Sequence, residues 1–157
     1  VTQSMSWSPI SRLRFPMVVA GTSLTLVLSG LSAHADDIYN PMPLPESNMV
    51  VDVLSENDIP TGNGGFARDY LVTLEAGDQV VVDLSSDQFD TIITLIAPDG
   101  TTIGQNDDGP DGTTNSLLFA RITQPGNYIL RVSPFAGQGL GQFTLNVTRL
   151  RPASECP

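Results

Sequence analysis

The residues best equipped for chemistry lie in one run, Asn106-Asp107-Asp108-Gly109-Pro110-Asp111-Gly112. Three carboxylates and an amide fall within six residues, on a loop bent by Gly and Pro. Ca2+ takes about six to eight oxygen ligands from carboxylates, amides and backbone carbonyls, and this run supplies several. Asp90 joins them if the strand ends converge. The candidate metal set is therefore Asp90, Asn106, Asp107, Asp108 and Asp111, with Ca2+ as the ion. The pattern is not an EF-hand loop, which needs alternating ligands and a closing Glu. A turn whose Asx side chains bond their own backbone fits the same residues without an ion. On that reading Asn106 and Asp90 cap strand ends, and it is the commoner use of such a loop.

Other chemistries are excluded by inventory. The sequence holds one His (His34), one Trp (Trp7), one Cys (Cys156) and no Lys. Arg12 and Arg14 precede an apolar run from Phe15 to Leu31, and Ala33-His34-Ala35 follows as an A-x-A signature. That is the layout of a secretory signal peptide, cleaved after Ala35. Cleavage removes His34 and Trp7. Nucleophilic triads need an imidazole base, and zinc hydrolases need His or several Cys. Carboxylate-pair chemistry survives, yet no pair is held at a defined separation. The expectation is a protein that is not an enzyme. Cys156 has no partner within the chain and reads as an incidental tail thiol, with an intermolecular disulfide as the alternative.

The product expected from residues 36–157 carries 17 acids, 13 of them Asp, against five arginines, a net charge of −12. Such a surface repels nucleic acid and anionic membranes and attracts cations. Neither a nucleic-acid partner nor stable membrane insertion after signal cleavage is expected.

These residues need elements to position them. Residues 36–47, with Pro41, Pro43 and Pro45, read as an extended, poorly ordered lead-in. Asn48–Leu54 is a strand candidate, and Asn57–Gly65 a polar, glycine-rich loop. Tyr70, Val72 and Leu74 then alternate with Asp69, Leu71 and Thr73. Val80, Val82 and Leu84 alternate with Val81 and Asp83. Ile92–Ile96 is apolar on both faces, as in a covered central strand. Pro98-Asp99-Gly100 and Pro125-Gly126 are turns. Leu117–Ile122 is a strand. Tyr128, Leu130 and Val132 face in, as do Phe143, Leu145 and Val147. A period of two with turn signals every 8–12 residues or so describes an all-β, antiparallel, two-sheet β-sandwich over residues 48–150. Residues 151–157 are a tail. Adjacent Arg68 and Asp69 point to opposite faces of a strand and read as solvated charges. Tyr70 and Tyr128 read as core. Phe135, in Ser133–Gly139, is an aromatic on a mobile loop or one tucked against the sheet.

An ordered set of pieces resembles a known family. They are Asp69-x-Leu71, Leu74-x-x-Gly77-Asp78, Phe89-Asp90-Thr91-x-x-x-Leu95, Pro98-Asp99-Gly100, Asn106-Asp107-Asp108, Gly126-x-Tyr128-x-Leu130-x-Val132 and Gly141-x-Phe143-x-Leu145-x-Val147. The set is similar to the bacterial pre-peptidase C-terminal (PPC) domain family. The resemblance implies a jelly-roll-like sandwich that usually accompanies secreted peptidases. It also implies kinship with collagen-binding modules, some of which bind calcium. Phe143 stands where Tyr is common in the family. No peptidase domain accompanies the module, so it is expected to stand alone.

Together these point to a secreted or periplasmic, non-catalytic module that binds an extracellular protein or polysaccharide, with Ca2+ stabilising a loop. One alternative is a structural or protective acidic envelope protein. The other is a small carboxylate-dependent hydrolase.

Overall fold

Strands with one apolar face must bury it against another sheet, and these strands do so in pairs of layers. The structure, a computed structural model, describes residues 39–62, 64–110 and 112–150. The signal-peptide segment 1–35, the tail 151–157 with Cys156, and Asp111 lie outside the described residues.

Ten strands run in chain order: β1 (Met42–Pro43), β2 (Met49–Leu54), β3 (Ile59–Pro60), β4 (Phe66–Leu74), β5 (Gln79–Ser85), β6 (Thr91–Ile96), β7 (Thr102–Asn106), β8 (Ser116–Arg121), β9 (Gly126–Pro134) and β10 (Gly141–Leu150). One sheet has the order β1-β4-β9-β6-β7, with β3 on β4, and the other the order β2-β10-β5-β8. All pairings are antiparallel except that of β1 with β4. The all-β, two-sheet sandwich expected from the alternation is the observed architecture.

The buried faces are those the alternation marks. Tyr70, Val72 and Leu74 meet Val80, Val82 and Leu84, with Tyr128, Leu130, Val132, Phe143, Leu145 and Val147 completing the core. Phe143 is its aromatic hub, edge-on to Tyr70 at 6.3 Å and to Phe89 at 6.5 Å between ring centroids. Edge-to-face contacts at such spacings favour the ring quadrupoles. The turn at Ala97–Thr101 places Gly100 at a φ of 85°. This is the left-handed region that only glycine enters freely.

Three strands escaped the pattern. β1 contains Pro43, β3 contains Pro60, and β7 reads Thr-Ile-Gly-Gln-Asn with little burial. The lead-in is also more ordered than its prolines suggest. The Leu44 N–H donates to Leu71 C=O at 2.8 Å, tying residues 42–44 along the edge of β4. Proline is tolerated there because an edge strand leaves one side without ladder bonds.

The register gathers four connections at one end of the sandwich: 55–65, 86–90, 107–115 and 135–140. Thr91 pairs with Pro134, Asn106 with Ile93, Ser116 with Leu84 and Gly141 with Leu54. Buried hydroxyls lock this end across the two sheets. Thr91 Oγ1 lies 2.7 Å from Ser116 Oγ, and Ser116 Oγ donates to Thr91 C=O at 2.8 Å.

Candidate functional site

Catalysis needs an ionisable group free to change its bonding, and Asp52, Asp58 and Asp69 are instead committed to holding the fold. Arg68 Nη1 sits 2.6 Å from Asp52 Oδ1, and its Nε donates to Asp58 Oδ1 at 2.6 Å. Asp52 also accepts from Tyr70 Oη at 2.9 Å and from the Val53 N–H at 2.8 Å. Burial pushes the Asp52 carboxyl up, but the hydrogen bonds from Val53, Arg68 and Tyr70 outweigh it and hold the pKa below its ordinary value. On the outer face of β4, Asp69 accepts a two-pronged bond from Arg131, at 2.8 and 2.7 Å, and a third from Tyr39 Oη at 2.6 Å. Partial burial and the Asp69 carboxylate push the Tyr39 phenol up to about 12. The sequence reading of Arg68 and Asp69 as solvated charges is therefore corrected. They do point to opposite faces, and each finds its partners there: Arg68 meets Asp52 of β2 and Asp58 of the 55–58 turn, while Asp69 meets its cross-strand neighbour Arg131 of β9 and Tyr39.

The loop end is different. Among the described residues its four connections carry Glu56, Asp58, Asp87, Asp90, Asp107 and Asp108 and no arginine. Asn106 clasps the end of β7: its Nδ2 donates to Leu117 C=O at 2.8 Å, and its Oδ1 accepts from the Asp108 N–H at 3.0 Å. This is the Asx turn that the residue types allowed. Both ends of the Asn106 amide are thus engaged by protein. Among the described residues the Asp90 side chain is the exception to the general satisfaction of buried polar atoms. Its Oδ1 is buried and accepts no hydrogen bond. Burial, then the charges of Asp108 and Asp107, raise its pKa. The charges of Asp107 and Asp108 thus reach Asp90. Among the described residues no three acidic, His or Cys side chains form a ready-made metal cage. The observation that fits a cation is narrower: one orphaned carboxylate oxygen on a residue that feels two like charges.

Phe135 stands beside this corner. Its N–H donates to Asp90 C=O at 2.8 Å, and its side chain is 47% exposed. The loop that carries it is pinned. A Cβ on Gly65 would come within 2.6 Å of Gly137 Cα, so only glycine lets the 61–65 and 135–139 segments touch. Ala136 holds a φ of 51° between them. A non-glycine residue in that region persists only where its surroundings over-determine it. Of the two readings of Phe135, display is the one the structure supports: the ring is half-exposed, on a loop that packs against Gly65. The sequence signal for this is the pair Gly65 and Gly137, whose contact spans 72 positions and is invisible without the fold.

Residues 66–134 match the sequence model of the bacterial pre-peptidase C-terminal domain. This covers β4 to β9 and includes Asp90 and the acidic loop. Among solved structures the chain is similar to PliG of Aeromonas hydrophila, a periplasmic lysozyme inhibitor of g-type lysozyme. The identity is 16%, the TM-score 0.52, and the match covers 71% of this chain and 96% of that one. It is also similar to the pre-peptidase C-terminal domain of collagenase from Bacillus anthracis, at 12% identity and a TM-score of 0.50, over 69% of this chain and 93% of that one. At these identities the likeness is one of fold. No curated protein matches the chain. Among the described residues no helix is long and apolar enough to cross a membrane.

Proposed function

We propose, from a chain that carries a bacterial pre-peptidase C-terminal domain, that the protein is an exported, non-catalytic module that grips a partner protein with its acidic loop end. Ca2+ bound at Asp90, Asp107 and Asp108, with Asp111 and backbone carbonyls completing its shell, stiffens that end. The observation that carries this reading is Asp90 Oδ1, buried without a donor on a residue that feels the charges of Asp107 and Asp108. A cation supplies what that oxygen lacks. Export rests on the signal-like start and agrees with a periplasmic protein among the fold's relatives.

A protein partner is favoured over a polysaccharide by the aromatic inventory. Sugar sites usually stack rings on flat aromatics, and the described residues hold no Trp. The loop end offers one braced, exposed phenylalanine amid carboxylates. That combination suits a basic protein side chain, which the carboxylates attract and a ring face accepts.

The A. hydrophila relative makes a g-type lysozyme the first partner to try. Calorimetric titration of a purified g-type lysozyme, with Ca2+ and then with EDTA, tests the reading. The expected result is binding that EDTA weakens and that Phe135→Ser weakens by about tenfold or more, the loss typical of a central interface anchor. Absence of heat under both conditions removes that partner. Binding that is indifferent to Phe135→Ser moves the contact surface away from the loop end.

A further inference from the structure

The outer face of the four-stranded sheet carries a second surface with its own logic. Register fixes its layout. Val81 of β5 lies opposite Phe119 of β8, Asp83 opposite Leu117, and Gln79 opposite Arg121. Phe119 is 59% exposed, the largest exposure of any large apolar side chain among the described residues. Val81 and Leu117 beside it are partly exposed, and Leu150 at the end of β10 is 46% exposed. Asp83 and Arg121 are the two charges in this part of the face. They stand on neighbouring strands but four residues apart along them, about 14 Å by strand rise, too far to meet within one chain. Neither makes an ion pair among the described residues.

The midpoint between Asp83 and Arg121 falls on the Val81–Phe119 pair. A patch with opposite charges on either side of an apolar centre is complementary to itself. We propose that this face binds a second copy of the chain. The two-fold axis lies in the interface and crosses the strands over Val81 and Phe119. Rotation about it lays Phe119 of one copy against Phe119 and Val81 of the other. It also brings Asp83 of each copy to Arg121 of its partner. One ion pair is thereby made twice by a single operation, as an isologous interface requires.

Charge at large opposes this contact. Each chain carries a formal net charge of −10, and like-charged copies repel. The association is therefore weak and specific, and it separates from net charge in a direct way. Asp83→Arg lowers the negative charge of each chain, whereas Arg121→Asp raises it. General repulsion predicts opposite effects from these two changes, whereas the proposed contact predicts the same effect, since each sets like charges face to face.

Sedimentation of the purified protein over a concentration series reads the outcome, with melting curves confirming that each variant is folded. The wild type should approach twice the monomer mass at high concentration. Asp83→Arg alone and Arg121→Asp alone should each remain monomeric where the wild type dimerises, and the double variant should dimerise again. A wild type that stays monomeric up to about 1 mM, the limit at which association free energy falls to roughly 4 kcal/mol, overturns the proposal and leaves the face to another protein. A dimer that survives either single exchange, or a double variant that fails to recover, overturns it as well.

Discussion

Replacing Arg131 with methionine should lower the stability of the sandwich by about 3 kcal/mol, near the bottom of the range for breaking a buried ion pair. The side chain of Asp69 is 0% exposed, and Arg131 provides two of its three hydrogen bonds. Methionine keeps the apolar stem that lies along the sheet and removes only the guanidinium. What remains is a buried carboxylate answered by Tyr39 alone. The lower end of the range is chosen because Arg131 itself is 34% exposed, so water shares in solvating the pair. For a domain of this size the midpoint should fall by roughly 10–15 °C. The pairing account makes a second demand. Combining Arg131→Met with Asp69→Leu should recover part of the loss, because no charge is then left buried. A thermal melt of the three variants decides it, and equal losses in the single and double variants would refute the account.

Arg68→Met should cost about 2 kcal/mol at neutral pH and progressively less in acid. Arg68 separates Asp52 from Asp58 and touches both at 2.6 Å. Without it, two carboxylates that share a site are left without their cation. The group is partly exposed, with Asp52 at 29%, so the cost sits below that of a fully buried pair. Asp52 has a folded pKa below its ordinary value. Its contribution is therefore complete above the unfolded carboxyl pKa of about 4 and disappears as pH falls through the lower folded value. The gap between wild type and variant should accordingly be widest above pH 5 or so and close in stronger acid. Urea midpoints across that range measure it, and a gap that is independent of pH would contradict the assignment to Asp52.

The core was legible because it is written at a period of two. Tyr70, Val72 and Leu74, or Phe143, Leu145 and Val147, each declare a face without reference to anything distant. The strands that were missed are those whose pairing comes from elsewhere. β7 is held by β6 and by the Gln105 bond to Thr94 at 2.8 Å rather than by its own burial, and β1 by the edge of β4. The candidate site divides in the same way. The acidic run from Asn106 announces itself by composition, and its Asx turn is local. The orphaned oxygen of Asp90 arises only when β6 starts beside the end of β7. Arg68 finds Asp58 ten positions away, and Arg131 finds Asp69 across 62. Sequence gives the charge of such residues but not their partners.

The claim on which the account turns is a cation at Asp90, and a melting experiment addresses it most directly. The midpoint should rise with Ca2+ at about a hundredfold over its dissociation constant, by roughly 2.7 kcal/mol, on the order of 10 °C for this size of domain, and not with Mg2+. Asp90→Asn should abolish that rise. Without Ca2+ it should melt no lower than the wild type at neutral pH. A raised folded pKa means that ionisation of Asp90 weakens the fold as pH rises through it, and the amide never ionises. A wild type indifferent to Ca2+, or an Asp90→Asn variant that still responds in full, would contradict the account and leave Asn106–Gly112 as a turn alone.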